Sequence, residues 1–395
     1  MRLQITMTNF SDAELINLKS SAEREISEYL SKKEKNAKLL PHIKSKNFSQ
    51  WNDPTINEKI YADLSIIVTM ISESIPNAAD IILTGGFSRG EGSVLYEESG
   101  VQPVNDYDII ITSEESLDHK LMRSLSAKIA NTVGIRLIDL INIPLKNLKS
   151  LPFTMFNYDL KYGGEVIYGD ARILDEIPNM DSSKMPLPEG KVLLFNRLIC
   201  LMECFNYDFL RRSPSNEEKF FLVNQCNKAI LACCDAHLIL LGKYHHSYRE
   251  KNKRFQSSVF SDMILQDSVN RAINFKLTPT KRIDFNVVDY WFTVKKIYLD
   301  TLLFYLNHTF IVSEKFSDFI DFGEFYSGYS LNCKKSNLEL AEIFTLLSIN
   351  TKGIDLDYLK IAKEHIMTIS DQNLVEPDWE RIRKECTRLW FELNH

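Results

Sequence analysis

No run of apolar residues in this chain is long enough to cross a bilayer. The most continuous one, Ala229 to Leu241, is interrupted by Asp235 and His237 and falls short of the roughly 20 residues a spanning helix needs. No block of basic residues occurs beyond short stretches such as Lys32-Lys33-Glu34-Lys35, and the net charge of −6 comes from intermixed signs. A groove for duplex DNA is therefore not expected. Cysteine is sparse and odd in number, seven in 395 residues, which gives no paired disulfide framework and suits a reducing compartment. Cys200 and Cys204 are spaced to share a helix face, but no second Cys or His pair at ligand spacing completes a zinc site. Core positions are expected for the thiols. The first residues, Met1-Arg2-Leu3-Gln4-Ile5-Thr6, lack the charged-then-apolar pattern of a signal peptide, and Gly does not follow Met1. The resulting expectation is a cytoplasmic protein with no membrane partner.

What is present is an ordinary globular composition, 44% hydrophobic and 25% charged, in a chain long enough for two or three domains. Residues 12–40 read as a polar helix with a modest apolar stripe, an N-terminal helical extension within 1–50. Thr55 and Glu58 match a capping box, and Ile60, Leu64, Ile67, Met70 and Ile71 recur at helical spacing to about Ser74. Strand character follows at 81–83, 108–111, 135–141 and 165–168, with a helix expected over 114–132 and closed by Gly134. From about Pro186 the pattern becomes helical over 189–211, 216–241, 287–306, 338–349 and 377–393, with Ser215 and Glu218 as a capping pair and Gly242 as a helix stop. Residues 251–258 read as an exposed loop. The expected fold is α+β: a small mixed sheet flanked by helices over 51–180, then a large all-helical domain over 181–395.

The chemistry is concentrated in Thr84-Gly85-Gly86-Phe87-Ser88-Arg89-Gly90-Glu91-Gly92-Ser93 and in Asn105-Asp106-Tyr107-Asp108-Ile109-Ile110-Ile111. A glycine pair directly after an apolar strand lets the backbone turn sharply and brings amide groups close to an anion. Asp106 and Asp108 lie two apart at the start of a strand, so the pleat puts both carboxylates on one face. Like charges so close call for a cation between them, and hard divalent ions prefer oxygen ligands. Asp139, flanked by Ile138 and Leu140 in the next expected strand, is an unlikely place for a charge unless a metal or a partner compensates it. A salt bridge is the competing reading for Asp139, and an ordinary hairpin turn with solvated aspartates is the competing reading for the whole stretch.

These residues resemble the signature of the polymerase-beta nucleotidyltransferase superfamily: a Gly-Gly or Gly-Ser turn after a strand, a Ser/Ala-Arg-Gly step, then an Asp-x-Asp pair opening an apolar strand. The resemblance covers roughly residues 81–141. It implies that Gly85 and Gly86 bind nucleotide phosphates and that Asp106, Asp108 and Asp139 bind two Mg2+ ions, with Mn2+ as a substitute, Asp139 also taking the proton of the incoming hydroxyl. Ser88 is expected to add a hydroxyl to the phosphate site, and Arg89 to reach phosphate or brace the turn. The gap from Gly86 to Asp106 is longer than usual in that family, and residues 94–104 read as a loop inserted there. In the helical half, Lys228 followed by Ser247 and Tyr248 resembles phosphate-binding elements of nucleotidyltransferases that extend RNA ends.

The implied activity is transfer of a nucleoside monophosphate, AMP from ATP first among them, to an acceptor hydroxyl with release of pyrophosphate. A small molecule, a protein and an RNA end all stand as acceptors. The alternative is a non-catalytic nucleotide-binding or toxin–antitoxin-type interaction module. His245-His246 has no Cys or carboxylate at ligand spacing, so a metal role there is not expected.

Overall fold

The structure is a computed structural model that describes residues 38–51, 53–97, 100–104, 106–258, 263–309, 334–372 and 376–394. Of the helix expected over 12–40, only 38–40 are described, and these are not helical; Cys333 also lies outside the described residues. The chain divides into two compact units. One holds the described residues up to Ser182 together with His245–Glu250 and Leu277–Pro279; the other holds the rest.

In the first unit, helix α1 (Pro54–Ser74) begins at Asp53, whose carboxylate accepts from the Thr55 amide at 2.8 Å. Pro54 occupies the first turn, where the missing amide proton costs nothing. The cap is thus Asp53 rather than the expected Thr55–Glu58 box, because an aspartate before proline already satisfies the first turn. Ile56, Ile60, Leu64, Ile67 and Ile71 form its buried stripe.

Strand β1 (Ala78–Thr84) leads into a single helical turn, Gly85–Ser88, and then a hairpin of β2 (Val94–Glu97) and β3 (Gly100–Pro103). The segment expected to be an inserted loop is therefore a paired two-stranded ribbon, with Gly100 at φ 109 entering its second strand. Strand β4 (Tyr107–Ser113), helix α2 (His119–Val133), strand β5 (Ile138–Pro144), helix α3 (Met155–Gly163) and strand β6 (Glu165–Tyr168) complete the unit. The sheet runs β5-β4-β1-β6; β4 and β5 are parallel, while β1 is antiparallel to both β4 and β6. Gly134 closes α2 in the left-handed conformation, φ 78. The third strand begins at Ile138 rather than 135, since Ile135 bonds back to Ala130 as part of that helix stop.

Tyr107 sets the phase of β4. It is fully buried, packs on Phe87 with ring centroids 5.0 Å apart, and donates its hydroxyl to Asp63 of α1 at 2.8 Å. Ile109 and Ile111 join the same core as Tyr107, along with Ile81 and Leu83 of β1 and Ile138 of β5. Ile110 and Thr112, of the other parity, are buried as well, so a one-residue slip would cost Tyr107 its contacts with Phe87 and Asp63 and turn the aspartates into the core. Asp108, on the other parity, is held to the opposite face.

The second unit is built from helices α4 (Leu187–Glu203), α5 (Asn216–Leu240), the greater part of α6 (Tyr248–Gln256), α7 (Met263–Leu277), α8 (Val287–Thr309), α9 (Lys334–Ser348), α10 (Leu356–Met367) and α11 (Trp379–Asn394). A small hairpin, β7 (Ile349–Asn350) with β8 (Gly353–Ile354), interrupts the helices. The Ser215–Glu218 capping box is present at the start of α5. α4 ends at Glu203, short of the expected 211, because Asn206 caps a separate short turn, Tyr207–Leu210. Residues 251–258 are largely helical rather than a loop. Trp291 stacks on Phe205 at 4.1 Å and donates its indole proton to the Leu201 carbonyl at 2.9 Å. Lys295 turns its ammonium to the carbonyls of Leu347 and Ile349, closing the end of α9; burial lowers its pKa to about 8. The six described cysteines are all free and buried, and burial pushes the thiols of Cys226, Cys233, Cys234 and Cys386 up. The fold is a mixed α+β one, predominantly helical with a small four-stranded sheet. Among the described residues no helix is long and apolar enough to cross a membrane.

Candidate functional site

The site lies where one end of the sheet meets the glycine turn. Thr84, the last residue of β1, pairs with Asp108 of β4, which pairs with Asp139 of β5. Paired residues project to one side, so Asp108 and Asp139 are neighbours on the face opposite the Tyr107 core. Asp106 precedes β4 by one residue and shares the parity of Asp108. All three are half-buried.

The electrostatics reflect this crowding. Burial raises the pKa of Asp139 above its ordinary 3.8, and the like charge of Asp106 pushes it in the same direction. Among the described residues, no group of three or more His, Cys, Asp or Glu side chains converges as it stands into a metal cage. The donor set is nevertheless all oxygen, which suits a hard divalent cation and no softer one.

Gly85 is required here by two independent facts. Its φ is +72, and a Cβ built on it would come within 2.0 Å of Asp108 Oδ2. The turn therefore lies directly against the carboxylate. Gly86 is constrained by backbone: its Cβ would meet the Glu91 carbonyl at 2.9 Å, and the Glu91 amide donates to the Gly86 carbonyl at 2.8 Å.

Ser88 and Arg89 serve the turn itself. The Ser88 hydroxyl lies 2.8 Å from the Gly85 carbonyl and 2.6 Å from the Gly163 carbonyl at the end of α3, and the residue is buried. It is engaged with backbone rather than presented to a phosphate, as the sequence had suggested. Arg89 lies with its Nε 3.5 Å from Glu91 and its guanidinium 5.6 Å from the Tyr248 ring centroid.

Ser247 and Tyr248 are likewise drawn to Glu91. Its carboxylate accepts from the Ser247 hydroxyl at 2.7 Å, the Tyr248 amide at 2.9 Å and the Arg249 amide at 3.1 Å. These amides open α6, so Glu91 stands where an anion would sit at a helix start and supplies the cap that makes a helix of residues read as loop. The Ser247 hydroxyl, expected to meet phosphate, is engaged with Glu91. Lys228 lies in the second unit, half-buried on α5. The rings of His245 and His246 stack at 4.2 Å, and the Ser247 amide donates to His245 Nδ1 at 3.0 Å.

Glu91 is the residue that sequence reasoning missed. Its partners lie 156 to 158 positions away, and only its place between two glycines set it apart. Burial alone would push its carboxyl up, but the Ser247, Tyr248 and Arg249 hydrogen bonds and the Arg89 charge outweigh burial and hold it below its ordinary 4.5. A group with a lowered folded pKa stabilises above its unfolded value and loses that contribution as pH falls through the folded one. Glu91→Gln is therefore expected to cost about 2 kcal/mol at pH 7. Melting curves at pH 7 and near pH 3 should show the deficit shrinking in acid; a deficit independent of pH would mean the charge is immaterial.

No family model and no curated protein matches this chain.

Proposed function

We propose that the first unit is a divalent-metal-dependent nucleotidyltransferase of the polymerase-beta type, with the second unit as its accompanying helical domain. The observation that carries this reading is the row Thr84, Asp108, Asp139 across three adjacent strands, with the Gly85 backbone against Asp108.

On this reading Asp106, Asp108 and Asp139 hold one or two Mg2+ ions, or Mn2+ in their place. When bound, such ions neutralise the charge that develops on the phosphate oxygens. Gly85 and Gly86 offer backbone unobstructed by side chains to the triphosphate. Asp139 takes the proton of the acceptor hydroxyl. The acceptor oxygen then bonds to the α-phosphorus, the bond to the bridging oxygen of the β-phosphate breaks, and pyrophosphate leaves with that electron pair. AMP from ATP is the first candidate for the transferred group; the acceptor is a hydroxyl of a small molecule, a protein or an RNA end. Bracing by Ser88, Arg89 and Glu91 keeps the turn in place during the reaction.

Incubating the full chain with each labelled triphosphate, Mg2+ or Mn2+ and a cell lysate tests this. The expected result is metal-dependent pyrophosphate release with label entering one acceptor class. A second reading, a nucleotide-binding module without turnover, is favoured by the absence of a ready-made carboxylate cage among the described residues. Calorimetry separates the two: triphosphate binding that ignores Mg2+, with no pyrophosphate formed, would leave the module standing and sink the enzyme.

A further inference from the structure

The helical unit contains a cavity of about 290 Å³ that the proposed reaction does not use. Three helices line it with residues at helical spacing: Lys191 and Phe195 from α4, Lys335, Glu339 and Glu342 from α9, and Trp390 from α11. Its two acids have different circumstances. Glu339 is neutralised by Lys191, whose Nζ lies 2.8 Å from Oε2 and 5.5 Å from the Phe195 ring centroid. Glu342 is 1% exposed, and among the described residues neither of its carboxyl oxygens has a hydrogen-bond partner.

An unpaired buried carboxyl costs on the order of 1–3 kcal/mol or more in lost solvation. A chain under no demand at this position would lower that cost with a leucine or methionine at the same place on α9. Burial, and then the like charge of Glu339, raise the Glu342 pKa well above its ordinary 4.5 against the opposing pull of Lys335. The carboxyl thus lacks the cation it would need to ionise. Phe195 and Trp390 supply aromatic walls, which favour a cation carried on an apolar body.

We propose that this cavity binds a small organic ammonium ion, its charged nitrogen on the Glu342 carboxylate and its apolar part between Phe195 and Trp390. The ligand nitrogen supplies the hydrogen bonds that Glu342 lacks, and the ligand body fills space that three helices leave open. The site is separate from the Asp106–Asp108–Asp139 face, so the proposal stands or falls independently of the reaction proposed above.

The test is titration calorimetry of the full chain with benzylammonium, and with benzyl alcohol as a neutral molecule of the same size. Benzylammonium is expected to bind saturably and at least about tenfold more tightly than benzyl alcohol, a difference of about 1.4 kcal/mol. Glu342→Gln should bring the two to equal affinity, and it should fold at least as stably as the parent because an amide replaces a carboxyl that burial disfavours. As a second variant, Val192→Trp adds bulk at a half-exposed position on the cavity wall and should weaken benzylammonium by about tenfold or more without touching the core. Equal binding of alcohol and ammonium, unchanged binding in Glu342→Gln, or no saturable binding of benzylammonium at millimolar concentration would each overturn the proposal.

Discussion

Asp106→Asn is expected to lower metal-dependent pyrophosphate release by about a thousandfold, equivalent to about 4 kcal/mol of transition-state stabilisation, while leaving the metal-free protein slightly more stable. The two effects have one cause. Burial raises the pKa of Asp139, and Asp106 is a like charge that pushes it the same way. A group whose folded pKa is raised contributes fully below its unfolded value and loses that contribution as pH rises through the folded one. In the absence of metal the parent should therefore lose stability as pH climbs above Asp139's ordinary 3.8, and Asp106→Asn should lose less. Added Mg2+ should reverse the order, raising the melting temperature of the parent and hardly affecting the variant. Activity retained in Asp106→Asn would remove Asp106 from the site. Activity lost with no change in the response to Mg2+ would point to a positioning effect instead of a metal ligand.

The row of carboxylates was legible because it rests on the shortest-range rule in a sheet. Alternation put Asp106 and Asp108 on one side, and the buried Tyr107 between them fixes which side. What could not be read was long-range pairing. Asp108 and Asp139 are opposite each other only through the parallel β4–β5 register, which depends on how α2 returns the chain. The β2–β3 hairpin reads as a loop in the sequence because its strands are four residues each and carry no sustained alternation.

Residues 251–256 were missed for a different reason. The helix is strongly polar and buries only Lys251 and Phe255, so periodicity has almost nothing to register. Its start is stabilised by Glu91, a carboxylate contributed from far away in the sequence. The Ser247 hydroxyl and the amides that follow it hold an anion, and that anion is a side chain of the protein. Glu342 illustrates a third limit. Its position on a helix was readable, but that it finds no hydrogen-bond partner among the described residues was not, because only the packing of three helices shows which of the two acids on the cavity acquires a lysine.

Gly85→Ala separates the site from the fold most sharply. Its left-handed φ of +72 costs an alanine about 1–2 kcal/mol, which a protein of this size should survive. The methyl group would also stand 2.0 Å from Asp108 Oδ2, and of the two the carboxylate is the one able to move, by rotating about its own side-chain bonds. The variant should thus be folded but with Asp108 turned away from Asp139, and metal-dependent turnover should fall by about a hundredfold or more, some 3 kcal/mol. Gly134→Ala provides the comparison. Its φ is +78, nearly the same strain, but a Cβ there meets nothing within 4 Å. Both variants should lose similar stability in thermal melts, and Gly134→Ala alone should keep its turnover. Equal activities in the two would show that the approach of Gly85 to Asp108 is a packing feature of the turn and has no part in the chemistry.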